Sequence, residues 1–243
     1  MTRTSIIVKI GGKILENSED LKATLTQFKE LLSQKRIQKI IIIPGGGSYA
    51  NFVRKLDLKL NVEDDLVHWM AILAMDQNGI FLSQQYKEID CIKNIDDLKN
   101  SNCDISVFLP YEFLSQNDEL PHSWDVTSDS IALYIASQLG IDECLLIKDI
   151  DGIFTIENEF LREISAKEYK KLKNSNKLSF FRQNDEELKH SKPIDSYLTK
   201  LIDKYKIPCV ILNGTTKNKR IIDYFDESIN DQEKIYTKII NTR

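Results

Sequence analysis

IIVKIGGKIL, residues 6–15, breaks a run of aliphatic residues with a lysine and then a pair of glycines. A strand that only packs has no need of a cation at its end, and Gly-Gly weakens it. The pattern returns, larger, as KIIIIPGGGSYANF at residues 39–52. Two strands that each open into glycines clear backbone amides for an anion, and the start of a following helix adds its own unpaired donors.

Working outward, the chain alternates strand and helix. SIIVKI (5–10) is a strand, LKATLTQFKELLSQK (21–35) an amphipathic helix, and IQKIIIIP (37–44) a strand apolar enough to be buried on both faces. A helix over about 49–57 follows the second glycines. A longer one begins near Glu63, with apolar residues at 66, 67, 69, 70, 72 and 73 covering it nearly all round. Such a helix is expected to be buried, against its own core or a second subunit. CDISVFLP (103–110) and ECLLIKDI (143–150) are strands, and SDSIALYIASQLG (128–140) is a helix stopped by Gly140. The polar, lysine-rich stretch 157–192 is expected to form a lid or excursion, with a capping box at SAKE (165–168). A helix over 194–206, the strand PCVILNG (208–214), and a last helix and strand close the chain. There is neither a repeat nor a linker, so the class is α/β with a mostly parallel sheet in a single domain.

The balance of charges removes several functions. The 243 residues carry a net charge of -4 with Lys and Arg scattered among Asp and Glu, so no basic stripe offers itself to nucleic acid. No apolar run is long enough to cross a membrane, and the N-terminus lacks the apolar stretch of a signal peptide. Cys91, Cys103, Cys144 and Cys209 lack metal-ligand spacing and read as isolated thiols of a reducing, cytoplasmic protein.

GGGSYA has the form of a dinucleotide fingerprint, and Asp64 and Asp65 lie at the distance expected of its ribose-binding acid. They open a long helix, however, where that fingerprint needs the end of a strand. Neither glycine run continues into the Gly-Lys-Ser/Thr of a P-loop.

VKIGGK (8–13), IIPGGGSYANFVRKLD (42–57), SWDVTSDSIALYIA (123–136), LLIKDIDGIF (145–154) and VILNG (210–214) occur in the order seen in the amino acid kinase superfamily, which the chain resembles along nearly its whole length. The resemblance implies a three-layer αβα sandwich, with about 1–135 as an acceptor-binding and dimerisation lobe and about 136–243 as a nucleotide-binding lobe. It also implies ATP and Mg2+ as cofactors, a small-molecule phosphoryl acceptor, and a homodimer formed through the helix near 64–82. DDLVHWMAILAMDQNG (64–79) and LPHSWDVTSDSIA (120–132) are most similar to the branch that contains the kinase of methanofuran biosynthesis, which converts a phosphate monoester to a diphosphate. Isopentenyl phosphate kinases, a neighbouring branch, carry a His after the second glycine loop; here that region reads Ser48, Tyr49, Ala50, Asn51.

On this resemblance Lys9 bridges the β- and γ-phosphates, and Gly11 and Gly12 let the first loop touch the γ-phosphate. Gly45, Gly46, Gly47 and Ser48 hold the acceptor side, while Asp129 organises Lys9 and the moving group. Thr127 and Ser128 cap the Asp129 helix or touch the acceptor. Lys148 is a nucleotide-phosphate contact; Asp149, Asp151 and Gly152 turn at the nucleotide edge, though a plain Asp-Gly turn accounts for the last two as well. Acetylglutamate-type kinases carry a second lysine in a Gly-Gly-Met loop; here HSKPIDSYLTK lacks the glycines, and Lys192 is the substitute. Asn213 and Gly214 close over the nucleotide. Lys13 either adds a cation or points to solvent. His68, Trp69, His122 and Trp124 either pack in the core or line the acceptor pocket, where Trp124 would stack on a planar ring.

Two other functions fit the same residues. A carboxylate or carbamate acceptor would call for an arginine in the pocket, and Arg54 is the one arginine near the second loop. A nucleotide- or oxyanion-binding protein without turnover would keep the fold and tolerate the changes at Lys13 and Lys192.

Overall fold

The computed structural model describes residues 3–117, 119–179 and 193–242. Strand β1 (Arg3–Ile10) passes through Gly11 into a one-turn helix, α1 (Gly12–Leu15), and then α2 (Ser18–Ser33), whose Asn17 side chain caps it by accepting from the Glu19 and Asp20 amides. β2 (Ile37–Pro44), α3 (Gly47–Leu60) and α4 (Asp64–Gln85) follow, then β3 (Asp90–Ile92), α5 (Ile95–Asn100), β4 (Ile105–Phe108) and α6 (Pro110–Asn117). The second half begins with α7 (Ser128–Leu139) and β5 (Cys144–Lys148). It continues through β6 (Ile153–Thr155), β7 (Phe160–Leu161), β8 (Glu163–Ser165), α8 (Ala166–Asn174) and β9 (Leu178–Ser179). It ends with α9 (Leu198–Tyr205), β10 (Cys209–Asn213), α10 (Arg220–Phe225) and β11 (Thr237–Ile240).

Among the described residues the main sheet has eight strands in the order β3-β4-β2-β1-β5-β10-β11-β8, and β6, β7 and β9 form a small separate sheet. The pairings of the main sheet are parallel except β10 with β11. β1 and β5 are neighbours although a whole half of the chain separates them, so connections leave in opposite directions on either side of that junction. This is the switch point at whose carboxyl edge ligands of such sheets bind.

Alternation along the strands sorts the core into two layers. Ile6, Val8, Ile10, Ile40, Ile42, Leu145 and Ile147 pack under α2 and α10, while Ile7, Ile41, Ile43 and Leu146 pack on the opposite face under α7 and α9. The sandwich is therefore three-layered, and one continuous sheet spans both of the lobes read from the sequence.

One sequence expectation needs correction and two further features are sharpened. The segment 157–192 is no appended lid over its described part: β8 joins the edge of the main sheet, and Ala166 and Tyr169 of α8 are buried in the core. Within one chain the helix near 64–82 buries Val67, Ile72, Met75 and Leu82 and leaves Leu66, Leu73, Ile80 and Phe81 exposed, which is the face left to the second subunit named in the expectation. β3, α5 and α6 lay unread because three to eight residues are too short for either hydrophobic period to show.

Candidate active site

Lys9 and Lys148 are brought together by the same alternation that builds the core. Lys9 lies two residues beyond Ile7 on β1, and Lys148 two beyond Leu146 on β5, so both side chains point to the α7 face. The register pairs Lys9 with Ile43 on one side and Leu146 on the other, so both lysines stand at the carboxyl edge of the sheet. α7 presents Asp129 there, one residue past its first turn's start, where a carboxylate also favours the helix dipole.

The Asp129 carboxylate bridges the two cations: Oδ1 is 2.9 Å from Lys9 Nζ and Oδ2 is 2.8 Å from Lys148 Nζ. Lys9 and Asp129 are 6% and 3% exposed, so the arrangement sits in a region of low dielectric where charges act strongly. Burial alone would raise the Asp129 carboxyl, but Lys148 and then Lys9, by charge and hydrogen bond, outweigh it and hold the group at about 2. Burial pulls Lys148 below its ordinary value, the charge of Asp129 opposes that, and the charge of Lys9 adds to it.

Asp195, which the sequence reading passed over, holds this helix start in place. Its Oδ2 accepts from the Thr127 amide at 2.9 Å, the Thr127 hydroxyl at 2.9 Å and the Ser130 amide at 3.0 Å. Its Oδ1 accepts from the Ser130 hydroxyl at 2.6 Å and the Leu198 amide at 2.8 Å. One buried carboxylate thus ties the beginnings of α7 and α9 together, and burial followed by the nearby Asp129 charge pushes its own pKa up. Asp195 lies in KPIDSYL, the stretch that lacks the glycines of the Gly-Gly-Met loop; an acid after an apolar residue and just before a helix was the available signal.

The glycine loops meet across the cleft. A Cβ on Gly12 would lie 2.4 Å from the Gly47 Cα, so the two backbones touch and neither position admits a side chain without displacement. Gly47, at φ +51, is in left-handed backbone that favours glycine. The expectation of two free amides after Lys9 is half met: the Gly11 amide donates to the Ile147 carbonyl at 2.8 Å, and that of Gly45 to the Ile10 carbonyl at 2.9 Å. The amides of Gly12, Gly46 and Gly47 have no partner among the described residues. The Ser48 amide is already taken, donating to Glu16.

The remaining expected residues divide between the cleft and its surroundings. Lys9, Gly11, Gly12, Lys13, Gly45, Gly46, Gly47, Ser128, Lys148 and Asp149 line one cleft. Lys13 pairs with Asp149 at 2.9 Å, spanning its mouth. Asp151 accepts from Asn213 at 3.1 Å and meets Arg220 Nε at 3.4 Å, and the Gly214 amide donates to the Lys148 carbonyl at 2.9 Å, so these residues form one rim beyond β5 and β10. Gly152 serves packing, since a Cβ there would meet Thr237 and Phe160. Lys192 lies outside the described residues.

A second pocket opens from the glycine loop between α3, α4 and the 123–128 loop. Gly46, Ala50 and Arg54 line it from α3, Val67, His68, Ile72 and Met75 from α4, and Trp124 and Thr127 from the loop. His68 stacks on His122 with ring centroids 4.1 Å apart, and His122 pairs with Asp65 at 2.7 Å. Trp124 Nε1 donates to Asp57 at 2.8 Å, and the Arg54 guanidinium lies over the Trp124 ring, 4.3 Å from its centroid.

Paired cations sharing a carboxylate at the switch point of a parallel α/β sheet, between two glycine loops, define a phosphate-handling αβα protein. The chain belongs to the amino acid kinase family, whose model matches residues 4–213. It is 34% identical over 239 residues to the (5-(aminomethyl)furan-3-yl)methyl phosphate kinase of Methanocaldococcus jannaschii, an alignment covering 96% of this chain and 97% of that protein. Among solved structures, the UMP kinase of Bacillus anthracis superposes with a TM-score of 0.68 at 16% identity, covering 99% of this chain and 97% of that one. The uridylate kinase of Archaeoglobus fulgidus does so with a TM-score of 0.66 at 14% identity, covering 97% and 99%. At those identities the two structures bear on the fold, which is the one expected. Family and relative alike make the chain a phosphotransferase.

Proposed function

We propose that the protein transfers the γ-phosphoryl group of Mg-ATP to a small phosphate monoester, giving a diphosphate. The observation that carries this reading is the Asp129 carboxylate held between Lys9 and Lys148, beside the free amides of Gly12, Gly46 and Gly47. Phosphoryl transfer asks for donor and acceptor in line and for the charge of the moving group to be offset. Two ammonium groups stand on either side of one carboxylate at the floor of the cleft, so cationic donors face the phosphates there. Lys9 meets the oxygens between the β- and γ-phosphates; Lys148 supplies, from a strand, the second cation that related kinases take from a loop. Asp129 keeps both aimed, and the loop amides receive the equatorial oxygens. The rim of Asp149, Asp151, Asn213 and Gly214 borders the nucleotide.

Magnesium fits this cleft as a companion of the nucleotide. Both Asp129 oxygens are taken by lysines, Asp149 faces Lys13, and no cluster of three His, Cys, Asp or Glu stands ready among the described residues. Phosphate oxygens and water are the ordinary ligands of such an ion, and Asp149, which lines the cleft, would hold one of its waters. When bound it offsets phosphate charge.

The monoester reading is supported by the relative's substrate and by the pocket that leads from the second glycine loop. A carboxylate acceptor is the second reading, because Arg54 does line that pocket. We also infer a cytoplasmic homodimer in which a second copy covers Leu66, Leu73, Ile80 and Phe81; no helix of the described residues is long and apolar enough to cross a membrane. ADP release from Mg-ATP, measured with aminomethylfuran-methyl phosphate, isopentenyl phosphate, UMP, acetylglutamate and carbamate, tests the reaction. Turnover with a phosphate monoester, lost in Lys9→Ala, upholds it. Turnover with acetylglutamate or carbamate alone transfers the assignment to acyl phosphate formation, and ATP binding without turnover of any acceptor removes it.

A further inference from the structure

Arg54 is a charge without a counter-charge. It lines the acceptor pocket, is partly buried, and makes neither an ion pair nor a hydrogen bond among the described residues; its guanidinium lies over the face of Trp124. Burial disfavours the charged guanidinium there, lowering its pKa. A partly buried guanidinium with unused donors is costly unless something completes it, and a place over an indole face does not pair those donors. The contact is itself fixed, because Asp57 accepts from the Trp124 indole nitrogen at 2.8 Å and so sets the ring. Asp57, Trp124 and Arg54 form a chain in which each group orients the next, with only the last left open.

Its position says what would complete it. Gly46, Ala50 and Arg54 recur every fourth residue, so they occupy one face of α3 and line one wall of the pocket from the glycine loop outward. Arg54 Cα lies about 10 Å along the axis from Gly47, and a helical side chain leans back toward the helix start. An anion between loop and guanidinium meets the free amides and dipole of α3 from one side and the fork of Arg54 from the other.

Building on the proposed monoester kinase activity, we propose that Arg54 is the residue that selects a phosphorylated acceptor, gripping the non-attacking oxygens of the acceptor's own phosphate while Trp124 and Asp57 hold its guanidinium in place. Its charge would also separate phosphorylated acceptors from their dephosphorylated alcohols.

The test is direct binding and steady-state kinetics with aminomethylfuran-methyl phosphate and with the corresponding alcohol, on wild type, Arg54→Ala and Arg54→Lys. The wild type is expected to prefer the phosphate by about a hundredfold or more, and Arg54→Ala to lose about 10- to 100-fold of that preference through a raised acceptor KM. The KM for ATP should stay within about twofold, and Arg54→Lys should fall between, keeping charge but losing the fork and the stack. Thermal unfolding of each variant separates misfolding from lost recognition. If Arg54→Ala weakens phosphate and alcohol equally, or neither, the arginine only packs and the proposal is overturned while the kinase assignment stands. If the wild type binds no phosphate monoester of the panel, the kinase reading and this proposal fall together.

Discussion

The floor of the cleft and the wall of the acceptor pocket treat charge in opposite ways. On the floor, Asp129 satisfies two lysines from neighbouring strands, and a second carboxylate, Asp195, fastens the helix that carries it. On the wall, Arg54 is oriented by a ring but has no anion of its own among the described residues. The floor is organised before any ligand arrives, which is what transition-state stabilisation needs, because dipoles already in place cost no reorganisation. On the role proposed for Arg54 the wall is completed by its ligand, which is what discrimination needs, since the wrong ligand leaves the guanidinium unpaired.

The strongest way to break this contrast is to empty the floor. Lys9→Ala should lower kcat by about a thousandfold or more while leaving the melting temperature close to wild type, as steady-state ADP release and calorimetry will show. Asp129→Asn should cost similar activity and also about 3–5 kcal/mol of stability, since two buried ammonium groups then lack their counter-charge. The Asp129 carboxyl is held at about 2 against an ordinary 3.8, so its folded pKa is depressed. Its contribution of about 2 kcal/mol is complete above about pH 5 and lost as pH falls toward 2. Urea midpoints measured down that range should fall more steeply for wild type than for Asp129→Asn; parallel curves would mean the carboxylate is not held as described.

Gly12→Ala is expected to act next most strongly. Its methyl would press on the Gly47 backbone, so the loops must part, and a displacement near 1 Å at a phosphoryl-transfer site costs about a hundredfold in kcat/KM. Asp195→Asn keeps the shape but turns an NH2 toward groups that donate to the carboxylate. A loss of about 1–3 kcal/mol in stability is expected, with about tenfold in kcat and little change in either KM, because Asp195 positions Asp129 without touching a ligand. A rise in acceptor KM with kcat intact would move Asp195 from the floor to the wall. The smallest effect on chemistry is expected from Phe81→Arg on the exposed face of α4: light scattering should report a monomer in place of a dimer, with activity per chain changed by about threefold at most.

Some of this was legible in the chain because it follows from local periods. β2 runs over the residues expected for it, and α7 starts at Ser128 and stops at Gly140 because Thr127 and a left-handed glycine cap it. Even the facing of Lys9 and Lys148 can be read backward from alternation, since each shares parity with a core residue two positions earlier. What escaped depended on partners remote in sequence. Asp195 lies 65 residues from Ser130, Ser48 gives its amide to Glu16, and Gly11 gives its amide to Ile147. No window of neighbouring residues contains those pairs.

By itself the sequence determined the alternating α/β order, the strand ends that open into glycines, and the caps that place a carboxylate at a helix start. These are set by side-chain period and backbone freedom within a few residues of each other. Only the tertiary structure decided that β1 lies beside β5, that Asp129 is shared between two lysines, that two of the five glycine-loop amides are already occupied, and that Arg54 has no ion-pair or hydrogen-bond partner among the described residues. Such facts depend on which desolvated group meets which across the fold, and burial makes those meetings strong without leaving a local trace.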